Sequence, residues 1–184
     1  MKLHAMALAA GLTMTGSAFA AVNSLNLTDT MNLGTFGAPV TYADAFSVST
    51  AGTINHALAF TITAPLYAGA GVSDVPLSVV FGMFTLTVTD ITGLNASIFD
   101  SSNNLYTSFV PTSNPDYLTL PTSSYFAPGS YTLKIGGNSI GASGGMYTVA
   151  AVTVPVPEPE TWAMLLVGLG LVGMRLRQKA AASL

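Results

Sequence analysis

The sequence predicts an all-β fold, an antiparallel β-sandwich similar to a jelly roll, between an N-terminal signal peptide and one C-terminal transmembrane helix. Short stretches of alternating apolar and polar residues recur with turn residues between them, roughly every 8–12 residues. One long apolar run without this alternation stands near the C-terminus, and a shorter one stands at the N-terminus. The predicted domains are therefore residues 1–20, 21–154 and 155–184.

Residues 1–20 have the pattern of a secretory signal peptide. Lys2 supplies the positive start and residues 5–12 form a short apolar core. Ala18 and Ala20 give the small-x-small cleavage site. We expect cleavage after Ala20, so that the exported protein begins at Ala21.

Alternation of apolar and polar residues, together with β-branched and aromatic residues, predicts the strands. They are expected near 24–27, 42–48, 54–62, 77–81, 84–90, 94–99, 105–110, 130–136 and 146–154. The last two form the clearest pair, with a glycine-rich loop at 137–145 between them. Residues 64–76 are expected to form a loop, 90–93 a turn and 111–121 an irregular segment, because Gly, Pro and Ser punctuate them.

Charge and cysteine usage exclude several classes of function. Between residues 21 and 155 the only cation is Lys134, against six aspartates, a net charge of −5. This acidic balance argues against nucleic acid and anionic membrane surfaces as partners. The chain has no cysteine, which excludes disulfides and thiol catalysis. The segment of residues 21–154 is long enough to bury a hydrophobic core without disulfides.

His56 is the one histidine after the predicted signal peptide. Its strand places it on the same face as Ile54, Leu58 and Phe60, which favours a hydrogen-bonded core residue. A Ser-His-Asp triad would need a strand-turn-helix context with a G-x-S-x-G motif, which is absent. We therefore predict no catalytic residue.

Two aspartates have side-chain surroundings that could suit a cation. Asp44 shares an apolar strand face with Tyr42 and Phe46, so its carboxylate needs N–H donors or a cation. We favour a structural tie to a neighbouring loop over a metal site. Asp100, with Asn103 and Asn104, could ligate calcium, but the spacing of a calcium loop is missing, and turn chemistry is favoured. No metal and no cofactor is predicted.

The C-terminal segment has three parts with different chemistry. Pro157 and Pro159 favour an extended segment that presents Glu158. Residues 161–177 are apolar on all sides of a helix, which predicts a transmembrane helix of about 25 Å. Arg175, Arg177 and Lys179 flank its C-terminal side alone, which places that side in the cytoplasm by the positive-inside rule.

The apolar run contains a glycine pattern that also occurs in nucleotide-binding loops. Residues 168–173 fit the G-x-G-x-x-G pattern of dinucleotide-binding loops. Such a loop needs a preceding strand, a following helix and an acidic residue about 20 positions further on. These features are missing, so the glycines are interpreted as small residues of a helix.

The tail resembles a known sorting signal. Val156, Pro157, Glu158 and Pro159, followed by a glycine-dotted apolar helix and basic residues, resemble the PEP-CTERM sorting signal of Gram-negative bacteria. The arginine run of that family is interrupted here by Leu176 and Gln178. The resemblance implies a transient membrane anchor that exosortase, a membrane cysteine protease, recognises and processes during export.

Two shorter stretches carry further resemblances. Tyr42, Asp44 and Phe46 match [F/Y]-x-D-x-F and resemble the group of PEP-CTERM proteins that has such a motif near the mature N-terminus. Residues 127–149 resemble the closing hairpin of bacterial pre-peptidase C-terminal β-sandwich domains. The first resemblance adds family identity without a mechanism, and the second agrees with the predicted sandwich.

Three classes of function are consistent with these patterns. The first is a non-enzymatic exported surface or matrix protein, with exosortase and the membrane as partners and a link to exopolysaccharide or biofilm. The second is a carbohydrate-binding module, for which Tyr67, Tyr106, Tyr117 and Tyr125 are available. The third is an enzyme, which the scarcity of catalytic groups disfavours. A row of coplanar exposed tyrosines would favour the second class.

Overall fold

The computed structural model describes residues 22–112, 116–121, 124–156 and 159–181, and within the last segment it describes the side chains of 163–175. The predicted signal peptide, with Ala18 and Ala20, lies outside these residues. The described residues form fourteen strands and one helix. The strands are β1 Asn23–Leu25, β2 Thr30–Phe36, β3 Val40–Val48, β4 Gly52–Ile62, β5 Leu66–Asp74, β6 Leu77–Phe81, β7 Phe84–Thr89, β8 Ile91–Asp100, β9 Leu105–Ser108, β10 Val110–Pro111, β11 Tyr117–Thr119, β12 Ser124–Phe126, β13 Gly129–Ser139 and β14 Gly145–Pro155; the helix is α1 Pro159–Ala181.

Two sheets and a separate hairpin organise these strands. The first sheet has the order β1-β3-β14-β5-β11-β10, with β12 also paired to β5. The second has the order β2-β4-β13-β8-β9, and β6 pairs with β7 alone. The predicted all-β fold is thus confirmed. The prediction of purely antiparallel pairing is wrong at two edges, where β1 pairs with β3 and β2 with β4 in parallel. The chain alternates between the sheets over its first four strands, so strands two apart become neighbours.

The core lies between the inward faces of the two sheets. Period-two alternation directs every second side chain inward, as expected for strands with one wet face. The central inward residues are fully or almost fully buried: Phe46, Val48, Val72 and Val149 on the first sheet, and Ile54, Leu58, Leu133 and Ile135 on the second. This arrangement is a β-sandwich.

The segment predicted as a loop at 64–76 is instead the central strand β5. It pairs with β14 along its whole length and with β11 and β12 on its other side. The strand does alternate with a period of two, and Leu66 and Val72 are buried. Its glycines and alanines make this alternation difficult to recognise in the sequence. Gly71 leaves room for the ring of Tyr117, whose Oη would lie 2.7 Å from an added Cβ. Small residues here therefore serve packing rather than chain reversal.

Three other boundaries differ from the prediction. Residues 91–93 of the turn expected at 90–93 are part of β8, where Gly93 has φ +65° beside a register shift opposite Gly136 and Asn138. This bulge lets one strand continue through a turn-like sequence. Within the irregular segment, β10 and β11 pair across residues 113–115, which lie outside the description. Strand β2, which was not among the predicted strands, is held as a parallel edge by β4.

Candidate functional site

The sorting segment begins where the sandwich ends. Strand β14 finishes at Pro155, and the N–H of Val156 donates to the carbonyl of Pro65 at 3.4 Å. Helix α1 then starts at Pro159. Proline suits the first helical position, because an N–H group there would have no acceptor within the helix and its absence costs no hydrogen bond. The prediction of an extended Pro159 and a helix start near Thr161 is therefore wrong by about one half-turn. Pro157 and Glu158 lie outside the described residues.

The described side chains of α1, residues 163–175, are all exposed. Leu166 and Leu169 are 67% and 61% exposed, and apolar residues occur all round the helix. Arg175 is exposed; Arg177 and Lys179 belong to the helix, but their side chains are not described. The predicted helix is confirmed. A membrane span at about 161–177 is not supported, since a search of the described residues finds no helix with the length and apolarity to cross a bilayer.

Gly168, Gly170 and Gly173 lie in the middle of this helix, with no strand or loop beside them. A Cβ added at any of them would meet no atom within 4 Å. The G-x-G-x-x-G pattern is therefore helical sequence, as interpreted from its context, and does not form a phosphate-binding turn.

His56 occupies the centre of the sandwich and is fully buried. Its Nε2 lies 2.7 Å from the carbonyl of Asn26, and its Nδ1 lies 2.7 Å from the hydroxyl of Tyr147. A carbonyl can only accept, so Nε2 donates, and Nδ1 of the neutral ring accepts from Tyr147. Burial lowers the pKa of His56. Both ring nitrogens are thus engaged in structural hydrogen bonds.

Tyr147 is the partner that the sequence did not reveal. It is fully buried on β14 and stacks on Phe46, with ring centroids 5.2 Å apart. Burial raises its pKa well above the ordinary value. The signal that could have found it is its place in the period-two pattern of 146–154, on the same face as Val149.

The three residues of the [F/Y]-x-D-x-F motif share the inward face of β3, as predicted. The Asp44 carboxylate accepts from the Tyr42 hydroxyl at 3.1 Å and from the N–H of Ala45 at 2.9 Å. Burial, and next the Asp44 carboxylate, raise the pKa of Tyr42 above its ordinary value. These two bonds of Asp44 are local to its strand; the expected bond to a neighbouring loop is not among them.

A carboxyl pair that the sequence did not predict lies where β5 and β8 approach each other. Asp74 is 5% exposed and accepts from the N–H groups of Val75 at 2.8 Å and Ile91 at 3.1 Å. Burial raises the pKa of Asp74 to about 6, and the adjacent Asp90 carboxyl acts in the same direction. The loop predicted at 64–76 concealed this site, because a loop aspartate is ordinarily exposed.

Asp100 closes the turn between β8 and β9. Its Oδ1 accepts from the N–H groups of Ser102 and Asn104, both at 2.9 Å. These bonds, led by that from Asn104, lower the pKa of the carboxyl. The favoured turn role is thus observed. Within the described ranges, no group of three or more acidic or histidine side chains is arranged to hold a metal ion.

The four tyrosines considered for sugar binding are partly exposed but do not form one flat row. Tyr67 and Tyr125 are cross-strand partners with ring centroids 5.8 Å apart and an interplanar angle of 66°. Tyr106 donates to the carbonyl of Tyr125, while Tyr117 lies over Gly71 further along β5. A coplanar platform, the arrangement that would favour a carbohydrate-binding module, is not observed among them.

The geometry defines a β-sandwich followed by a helix whose apolar surface is uncovered. Residues 155–179 match the family model of the PEP-CTERM protein-sorting motif. The chain therefore carries a PEP-CTERM sorting motif, which supports an exported protein that exosortase processes. A comparison with curated proteins finds no match.

One solved structure gives a distant comparison. The pre-peptidase C-terminal domain of a collagenase from Bacillus anthracis aligns with 74% of this chain and 99% of its own, at 12% identity and a TM-score of 0.37.

Proposed function

We propose that this protein is a non-enzymatic component of the cell surface or extracellular matrix, displayed by its C-terminal segment and released or transferred when exosortase processes that segment. The observation that carries the proposal is the sorting motif at 155–179, of which residues 159–179 lie in a helix whose described side chains are all exposed. A helix that is apolar on all sides requires lipid or a protein partner around it.

The surface of the sandwich supports a matrix role. The outward positions of β4 and β13 carry hydroxyl and amide groups such as Thr53, Asn55, Thr132 and Asn138. Such groups form hydrogen bonds with the hydroxyl groups of a polysaccharide, and contact with exopolysaccharide is part of the proposal. The structural engagement of His56 and Asp100 supports a non-enzymatic role, because each already has hydrogen-bond partners within the fold.

The experiment follows the tail in cells that have or lack an exosortase. A tag inserted at the exposed turn of Ser101 and Ser102 reports on the sandwich, and this site is preferable to residues 140–144, whose backbone is bonded to β7. In the presence of the enzyme we expect the tagged protein to lose mass at its C-terminus and reach the surface or medium. In its absence the full-length protein should remain in the membrane fraction.

Two variants test parts of the motif, and a third serves as their control. Replacement of both Pro157 and Pro159 by Ala should block processing, since the change permits the helix to extend toward the sandwich. Glu158→Gln keeps the shape and removes only the charge. The matched control is Pro128→Ala in an exposed turn of the sandwich, which should be processed normally. If the double-proline variant is cleaved and released like the unchanged protein, the segment is only a linker and the proposal fails.

A further inference from the structure

Hairpin β6–β7 exposes more apolar side chain than any other strand pair in the described part of the chain. Its strands pair only with each other. At its tip Phe81 is 64%, Met83 97% and Phe84 80% exposed. Isolated two-stranded hairpins are marginal in water, so an uncovered apolar hairpin indicates a surface that another molecule covers.

The register of the hairpin separates its side chains onto two faces. Val79 opposes Leu86 and Phe81 opposes Phe84, so these four side chains share one face. Ser78 opposes Thr87, and Val80 opposes Thr85, on the other face. The first is an apolar face, which Leu77 extends toward the base. The second is largely a hydroxyl face, so the hairpin is suited to bury one side and leave the other in water.

The base of the hairpin is fixed to the sandwich. The N–H of Ala142 donates to the carbonyl of Thr87 at 3.0 Å, and the N–H of Ser143 donates to Val88 at 2.8 Å. The N–H of Val75 donates to the carbonyl of Met146 in β14 at 2.8 Å. These bonds hold the apolar face in a defined direction before any partner arrives, which lowers the entropy lost on binding.

We propose that the apolar face of β6–β7 binds the same face of a second copy of this chain. A flat face of this kind is self-complementary about a two-fold axis, and sheet faces pack at about 10 Å with interdigitated side chains. Residues 75–89 contain no charged side chain, so two copies bring no like charges together. The nearest acids, Asp74 and Asp90, lie at the base.

The available area fits a reversible dimer. With about 150–250 Å² for an aromatic side chain, the exposed fractions of the two phenylalanines and the adjacent aliphatic residues amount to on the order of 500 Å² for each copy. A total of about 1,000 Å² lies at the lower limit for a specific interface. The dimer should therefore depend on protein concentration in the micromolar range or above.

A lipid bilayer is the less suitable occupant. Residues 75–89 include no Lys, Arg, Trp or Tyr, the residues that anchor loops at a membrane interface. The hairpin base also joins the sandwich near Gly144, at the start of β14, while the tail leaves from the end of β14. The 11 residues of that strand separate the two points by about 36 Å. The hairpin and the tail therefore lie at opposite ends of the sandwich.

The absence of cysteine from the chain permits a direct test. Val79→Cys places one thiol on the apolar face, and Ser78→Cys, its neighbour in sequence, places one on the hydroxyl face. The full chain is purified in a mild detergent that covers the tail and is treated with a short bismaleimide. We expect a cross-linked dimer from Val79→Cys at a yield at least tenfold above that from Ser78→Cys. Equal yields from the two would overturn the proposal.

A second measurement does not depend on cross-linking. Sedimentation of the full chain with both Phe81 and Phe84 changed to Ser should show at least a tenfold weaker dimer than the unchanged chain, while Thr85→Ser should show no change. Because all variants carry the same tail, association through α1 cancels in the comparison. Circular dichroism identifies a variant that has lost the sandwich, and the cysteine pair then decides. A full-strength dimer in the serine variant, or a monomer whose hairpin instead governs binding to neutral or anionic lipid vesicles, contradicts the proposal.

Discussion

Apolar side chains have opposite surroundings in the sandwich and in the tail helix. In the sandwich they alternate with polar residues, and the inward members, such as Leu58 and Val72, are fully buried. In α1 they follow one another around the helix, and Leu165 and Leu166 remain more than half exposed. The sandwich therefore satisfies its apolar groups from within the chain, whereas the tail requires lipid or another protein to cover it.

The largest effect on stability should come from removing a ring at the centre of the sandwich. Tyr147→Ala loses the stack on Phe46 and the hydrogen bond to His56. We expect the free energy of unfolding to fall by about 3–5 kcal/mol, as for other buried aromatic residues. Urea unfolding of the full chain, followed by the near-ultraviolet signal of the tyrosines, measures it.

The matched change in the tail is Leu166→Ala. It should alter the unfolding of the sandwich by less than about 0.5 kcal/mol, since its side chain is exposed. A comparable loss from both substitutions would mean that the tail contributes to the core, which would remove the contrast between the two regions.

His56→Ala should have the next largest effect. It leaves the Tyr147 hydroxyl and the Asn26 carbonyl without their partner and opens a cavity. We expect a loss of about 2–4 kcal/mol in the free energy of unfolding. Thr53→Ala, an exposed position on the same strand, is the control and should be nearly neutral. A hydrolytic activity that disappears in a folded His56→Ala variant would overturn the structural interpretation.

His56 and Tyr147 show what the sequence predicts and what it does not. Alternation placed His56 on a buried face because each strand repeats every two residues, whatever its neighbours are. The partner Tyr147 lies 91 positions away, and only the pairing of β14 within the first sheet brings its strand to the core position facing β4. Single-strand patterns do not contain that information.

Strand β5 and the hairpin β6–β7 show two ways in which prediction from residue type and alternation fails. Gly69 and Gly71 weaken the β signal of a central strand, although the ring of Tyr117 requires a small residue at Gly71. The two strands were predicted near 77–81 and 84–90, but alternation alone assigns Phe84 to a covered face. The exposure of this side chain follows from the hairpin forming a sheet of its own.

The third prediction concerns pH. The pKa of Asp74 rises from about 3.8 in the unfolded chain to about 6 in the fold, so the folded state holds its proton more tightly. Protonation of Asp74 makes its full contribution to the free energy of unfolding below about pH 3.8. This contribution is lost as the pH rises through about 6. At about 1.4 kcal/mol per pKa unit, the loss is at most about 3 kcal/mol.

The test compares the melting temperatures of the unchanged protein and Asp74→Asn between pH 4 and 7. The melting temperature should fall less toward neutral pH in the variant. His56 has a lowered pKa and acts in the opposite direction, losing stability as the pH falls below about 6.5, but it is present in both proteins. Asp100→Asn, whose carboxyl has a lowered pKa, should change the slope only below about pH 4. An unchanged slope in Asp74→Asn would show that the Asp74 carboxyl titrates normally.

The smallest effects should come from adding one methyl group to an open glycine in each region. Gly69 in β5 and Gly170 in α1 both have nothing within 4 Å of an added Cβ. Replacing either by Ala removes backbone freedom from the unfolded state, which is worth about 0.5–1 kcal/mol in a strand or helix interior.

Gly69→Ala should raise the melting temperature of the sandwich by a few degrees, at roughly 2–4 °C per kcal/mol for a chain of this size. Gly170→Ala should raise the helix content measured by circular dichroism and leave that melting temperature unchanged, because the described side chains of α1 are exposed. A higher melting temperature for Gly170→Ala would show that folding of the tail and folding of the sandwich are coupled.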